Sequence, residues 1–168
     1  RNHFLRLDRN VNRQKERDQI FRVIYTGSVI PRKGVHYLVQ AFQELNAPHS
    51  ELVIIGDVPE IMRPFMQEAA SKNSNIRFLG HIPKIELARH YNQASVFVLP
   101  SLADSFGLVC LEAMACGLPV IVTQNTGSKE AIQDGESGFI VPIRDVEILK
   151  EKLSYLYEHP DKRRTRPS

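Results

Sequence analysis

Residues 100–119 read P-S-L-A-D-S-F-G-L-V-C-L-E-A-M-A-C-G-L-P, between the apolar runs 96–99 (V-F-V-L) and 120–122 (V-I-V). Two short apolar runs flanking a polar loop, a helical stretch and a Gly-Pro break predict a buried strand, a loop, a helix and a second buried strand. The loop carries a carboxylate, Asp104, then Ser105 as a candidate N-cap, then Gly107 where backbone is uncovered. A second carboxylate, Glu112, falls about one turn into the helix. A helix start opened by Ser and Gly presents free N–H groups and favours anions. Acids flanking such a start suit a ligand that carries both phosphate and hydroxyl groups, as a sugar nucleotide does.

Outward from this stretch the pattern repeats. Apolar runs at 21–25, 52–55, 76–79, 96–99, 119–123 and 139–141 alternate with helical segments at 35–45, 61–71, 84–93 and 146–158. Val35, Leu38, Phe42 and Leu45 recur at spacings of three and four, as do Leu149, Leu153 and Leu156, which predicts a core-facing stripe on each helix. Pro64 fits within the first turn of its helix. The strands are continuous apolar runs, as in parallel sheets covered on both faces. The fold class expected is α/β, a doubly wound, Rossmann-like parallel sheet of about six strands. In such sheets ligands sit beyond the carboxyl ends of the strands, at the switch point. The polar, glycine-bearing segments 27–34, 56–59, 80–83 and 101–107 all follow strands, so they share one rim.

Composition sets the outer bounds. The 168 residues suit one domain with a sizeable core, and the charged and apolar shares are ordinary for a globular protein. The formal charge is +3, but residues 1–18 hold six basic and three acidic side chains, and residues 161–168 hold four basic and one acidic. That leaves 12 basic against 15 acidic between them, so the folded body is net acidic and the ends make the chain basic. A nucleic-acid binder needs a basic stripe with stacking aromatics, and neither is visible. The basic ends are compatible with an anionic membrane surface, and solvated ends explain them equally well. No apolar run approaches a membrane span, and the first residues are too charged for a signal peptide. Cys110 and Cys116 lack the spacing of a zinc or redox motif and read as small buried residues in a reducing cytoplasm. The domain expectation is a polar lead-in at 1–19, one folded domain at 20–160 and a basic tail at 161–168.

With the pattern filled in, D-S-F-G-L-V-C-L-E-A-M-A-C-G-L-P-V resembles the donor-binding motif of retaining glycosyltransferases of family 4, written E-x7-E and present here as Asp104-x7-Glu112. The segment T-G-S-V-I-P-R-K-G at 26–34 is similar to that family's phosphate loop. The resemblance covers residues 23–158, nearly the whole folded body. It implies the C-terminal, donor-binding half of a two-domain GT-B enzyme whose acceptor domain precedes Arg1. By that resemblance Lys33 meets the donor diphosphate and Asp104 holds hydroxyls of the transferred sugar, so these are the expected catalytic residues. Glu112 accepts from the two vicinal ribose hydroxyls, a task suited to the two oxygens of a carboxylate. Backbone N–H groups of Ser105, Phe106, Gly107 and Leu108 cap phosphate and hydroxyl oxygens. Gly27, Ser28 and Arg32 line the phosphate loop, Gly56 gives the ligand space, and His81 and Ile82 border the base.

Two positions depart from the family pattern. Ser28 stands where an Arg is common, so a forked guanidinium contact is missing and Arg32 is a candidate substitute. Asp104 stands where Glu is commoner, which leaves the sugar open. The resemblance implies sugar transfer to a hydroxyl with retained configuration, a hexose donor with UDP-glucose the commonest precedent, and a place in polysaccharide biosynthesis. No cofactor and no metal are expected, since a lysine and a helix end do the neutralising. The expected compartment is the cytoplasm, free or at the inner membrane face. Rival readings are a same-fold nucleotide-sugar epimerase or glycan phosphorylase, and a non-catalytic nucleotide-binding or receiver-like module. A receiver needs acids at the end of its first strand, where Thr26-Gly27-Ser28 stands. A dinucleotide dehydrogenase needs G-x-G-x-x-G there, which is absent. No pyridoxal-lysine motif of a phosphorylase is recognised.

Overall fold

The computed structural model describes residues 20–104 and 107–163. The lead-in at 1–19, Ser105 and Phe106, and the last five residues of the basic tail lie outside the described residues.

Six strands form one all-parallel sheet: β1 (Phe21–Thr26), β2 (Ser50–Ile55), β3 (Ile76–Gly80), β4 (Val96–Leu99), β5 (Val120–Thr123) and β6 (Gly138–Val141), in the spatial order β3-β2-β1-β4-β5-β6. The order reverses direction between β1 and β4, where Val23 pairs with Val96. That seam is the switch point. Among the described residues five helices connect or follow the strands: α1 (Val35–Leu45), α2 (Arg63–Lys72), α3 (Lys84–Gln93), α4 (Leu108–Ala115) and α5 (Val146–Glu158). Right-handed crossovers on either side of a reversal place the helices on both faces.

The expected apolar runs are the strands, with ends moved by a residue or two. β4 and β5 are buried at every position, as continuous apolar runs require, whereas the edge strand β3 buries only Ile76. Leu38 and Phe42 of α1 and Leu149, Leu153 and Leu156 of α5 enter the core, and α1 packs along α5. Pro64 sits in the first turn of α2, whose start is preceded by a 3₁₀ turn at Glu60–Met62. Asp145 caps α5, its Oδ1 accepting from the Ile148 N–H at 3.0 Å.

The C-terminal boundary differs from expectation. A 3₁₀ turn at Pro160–Lys162 carries Arg163 back onto the body. Its guanidinium lies 4.9 Å from the Phe21 ring centroid, and its Nε donates to the Leu156 carbonyl at 2.9 Å. This cation satisfies a carbonyl at the end of α5, where the helix dipole favours it. The first three residues of the expected tail therefore belong to the folded body. Among the described residues no helix is long and apolar enough to cross a membrane.

Candidate functional site at the switch point

The loops after β1 and β4 flank the switch point and are joined across it. The Leu102 N–H donates to the Arg32 carbonyl at 2.9 Å. Gly34, at φ 68°, turns the chain into α1 so closely that a Cβ there would lie 2.1 Å from the Pro100 carbonyl oxygen. Only glycine allows that approach. Beneath the loops, Tyr25 and Tyr91 anchor the strand ends. The Tyr25 hydroxyl donates to the Ser28 carbonyl at 2.8 Å, and the Tyr91 hydroxyl shares a 2.8 Å hydrogen bond with Thr26 Oγ1. Burial first, with Asp104 adding to it, pushes the Tyr25 phenol far up, and burial pushes Tyr91 up to about 12. Both therefore stay neutral and serve as packing and hydrogen bonds.

This joined rim brings Lys33 and Asp104 together. Lys33 Nζ donates to Asp104 Oδ2 at 2.8 Å, and the Gly107 N–H donates to Asp104 Oδ1 at 3.0 Å. Both side chains are largely covered. Gly107, at φ 60°, is the N-cap of α4, and no side chain caps the helix there. The expected N-cap, Ser105, is corrected by this: the helix starts at Leu108, and Asp104 satisfies the nearest amide instead. Ser105 and Phe106 themselves lie outside the described residues. Leu108 opens the helix with an exposed side chain.

Glu112, in the second turn of α4, faces the first residue of α3. Lys84 Nζ lies 3.1 Å from Glu112 Oε1, and the lysine is largely exposed, so solvent screens the pair. Each of the two acids of the spaced motif thus holds a lysine. Lys84 was missed in the sequence, although it follows the G-H-I-P turn directly. The available signal was a cation at the first position of a helix, where the dipole disfavours it.

The other expected residues fall on the same rim with different surroundings. Ser28 is exposed and shares a hollow of about 630 Å³ with Ile30, Asp57, Val58, Arg63 and Phe78. Gly80 closes that hollow, whereas His81 and Ile82 do not line it. Arg32 is exposed at the loop tip, beside Lys33. Gly56 is needed for packing: a Cβ there would lie 1.8 Å from the Gly27 carbonyl oxygen. Cys110 is buried and Cys116 half-buried, both free; burial pushes the Cys110 thiol up, away from thiolate chemistry. Among the described residues no group of three or more His, Cys, Asp or Glu side chains could hold a metal.

Known proteins resemble the chain over most of its length. The capsular polysaccharide biosynthesis glycosyltransferase CapM of Staphylococcus aureus is 32% identical over 154 residues, 86% of this chain and 39% of its own. Among solved structures, sucrose-phosphate synthase from Thermosynechococcus elongatus superposes with a TM-score of 0.79 at 30% identity, covering 88% of this chain and 39% of that one. The C-terminal domain of a glycosyl transferase group 1 family protein, LpcC, from Francisella tularensis superposes at 0.76 and 26% identity, covering 84% of this chain and 77% of that one. The chain spans about two fifths of the length of the curated relatives it matches. The model of the family "Glycosyl transferases group 1" matches residues 8–167, and the chain belongs to that family, with the GT-B type of parallel sheet.

Proposed function

We propose that this chain is the donor-binding half of a retaining hexosyltransferase that takes its sugar from a nucleoside diphosphate, with UDP-glucose the favoured donor. The observation that carries the reading is the ion pair of Lys33 with Asp104, 71 positions apart, held at the start of the helix that carries Glu112. The diphosphate lies against Lys33 and the start of α4, with the ribose hydroxyls on Glu112. Asp104 meets the sugar. The hollow bordered by Gly80 and Phe78 lies on the β1–β2–β3 side of the site and takes the base.

In the reaction, the bond between the anomeric carbon and the diphosphate oxygen breaks as an acceptor hydroxyl oxygen bonds to that carbon, and the hydroxyl proton passes to the departing diphosphate or to water. The electron pair leaves with the diphosphate, so the charge to be stabilised appears there. Lys33 and the α4 dipole are preorganised for it, and the chemistry runs without a metal. The acceptor is held by an N-terminal domain across the cleft, so this chain alone binds donor and transfers poorly.

The test uses the longer protein, with the anomeric coupling constant of the product read by proton NMR. Donor and product of the same anomeric configuration support the proposal; inversion contradicts it. Donor binding by this chain that is abolished by EDTA would contradict the metal-free part.

A further inference from the structure

We infer that the Asp104 carboxylate competes with phosphate for Lys33 and the start of α4, so that a ligand must bring its own anionic oxygens to displace it. The inference rests on the donor-site reading above and adds how the site selects its ligand. The Asp104 carboxylate spans two donors, the Lys33 ammonium at 2.8 Å and the Gly107 N–H of the α4 start at 3.0 Å. These are the two kinds of group that a diphosphate needs: a cation and a free amide at a helix N-terminus. One carboxylate oxygen sits on each. The side chains of Lys33 and Asp104 are only 21% and 13% exposed, so the pair is partly withdrawn from water.

A ligand can take Lys33 only by offering it at least as much negative charge at the same place. A diphosphate does so; a free sugar or a nucleoside does not. The pair therefore excludes uncharged fragments of the donor. Once phosphate holds Lys33, the Asp104 carboxylate is released from that ion pair and meets the sugar. The same side chain competes for Lys33 and serves the sugar.

Asp104→Asn separates these roles. The amide oxygen can still accept from the Gly107 N–H, but it offers Lys33 no charge. With pyrophosphate as probe, a ligand without base or sugar, calorimetric titration should give binding roughly three- to tenfold tighter in Asp104→Asn than in the unmutated chain, the scale of one partly screened ion pair. The gain must vanish when Lys33→Met is added, because the competition runs through Lys33. Uridine should bind weakly to both and gain nothing. Thermal melts confirm folding; should Asp104→Asn lose its fold, Asp104→Ser supplies a hydroxyl acceptor for the same comparison. Pyrophosphate binding that is unchanged or weaker in the Asn variant overturns the inference, as does a gain that persists with Met at position 33. If the unmutated chain binds UDP and the Asn variant shows no gain, this inference alone fails. If the unmutated chain binds neither UDP nor pyrophosphate, the donor-site reading fails with it.

Discussion

The Pro100 carbonyl oxygen occupies the space where a side chain on Gly34 would begin, 2.1 Å from the Cβ position. Through this contact the loop after β1 and the loop after β4 become one surface, and Lys33 is brought within reach of Asp104. Gly34→Ala forces the loops apart and also places alanine in left-handed backbone, which alone costs ~1–2 kcal/mol. Gly80→Ala, at φ 69° with nothing within 4 Å of its Cβ position, carries the backbone cost without the clash. The melting temperature should fall by several degrees for Gly34→Ala and by less for Gly80→Ala, at ~2–4 °C per kcal/mol. Equal losses would show that the loop contact contributes nothing.

Glu112 and Lys84 should part company on substitution. In the proposed donor site, Glu112→Ala would remove the acceptor for two ribose hydroxyls, a loss of ~1.5–3 kcal/mol for hydrogen bonds to a charged group, or about tenfold or more in nucleotide affinity. Lys84→Ala removes a largely exposed ion-pair partner and should leave the stability within ~0.5 kcal/mol of the parent. Its effect on nucleotide affinity should be smaller than that of Glu112→Ala. Titration of UDP into both variants decides this; if Glu112→Ala binds as tightly as the parent, the site assignment is wrong.

How far the sequence carried differs between fold and site. The apolar runs and the Gly-Pro break at 117–119 located β4, α4 and β5 because burial on both faces leaves no polar position in such strands. The ion pair of Lys33 with Asp104 was not legible. It spans 71 positions and depends on two loops meeting at Gly34 and Pro100. The start of α4 was misread for a local reason: Ser105 has the better capping side chain, but Gly107 turns the chain and Asp104 supplies the acceptor. The close approach of the Gly27 carbonyl to Gly56 was not legible either, because a sequence does not show which loops pack together. Arg163 looked like tail because its partners, Phe21 and the end of α5, are brought to it only by the folded sheet.

Asp145 tests a local stabilising contact away from the Lys33–Asp104 pair. Its carboxylate accepts from the Ile148 N–H at the start of α5, and Asp145→Ala should cost ~1 kcal/mol. Chemical denaturation measures it through a lowered midpoint at constant slope. An unchanged midpoint would mean that the cap is replaced by water at no cost.

Two histidines make stability depend on pH. Burial holds His36 below the ordinary imidazole value, and burial followed by Arg89 does the same for His90. The unfolded chain therefore binds protons at pH values where the folded chain does not. Stability is full above the ordinary histidine pKa of ~6.5 and falls as pH drops below it. The melting temperature should be lower at about pH 5.5 than at about pH 7.5. His36→Phe keeps a ring beside Tyr37 and Phe65 and should flatten part of that fall. A melting temperature that rises on acidification through this range contradicts the burial argument.

The central claim, a nucleoside-diphosphate-sugar site at the switch point, is tested most directly by thermal unfolding of this chain with UDP, UDP-glucose, GDP-mannose and NAD, each with EDTA. Ligand at a hundred times its dissociation constant stabilises by ~2.7 kcal/mol, a rise of several degrees for a domain of this size. The account predicts that rise with the UDP compounds in the presence of EDTA, and its loss in Glu112→Ala at the same ligand concentration. A rise with NAD alone, no rise with any nucleotide, or a rise that Glu112→Ala leaves intact would contradict it.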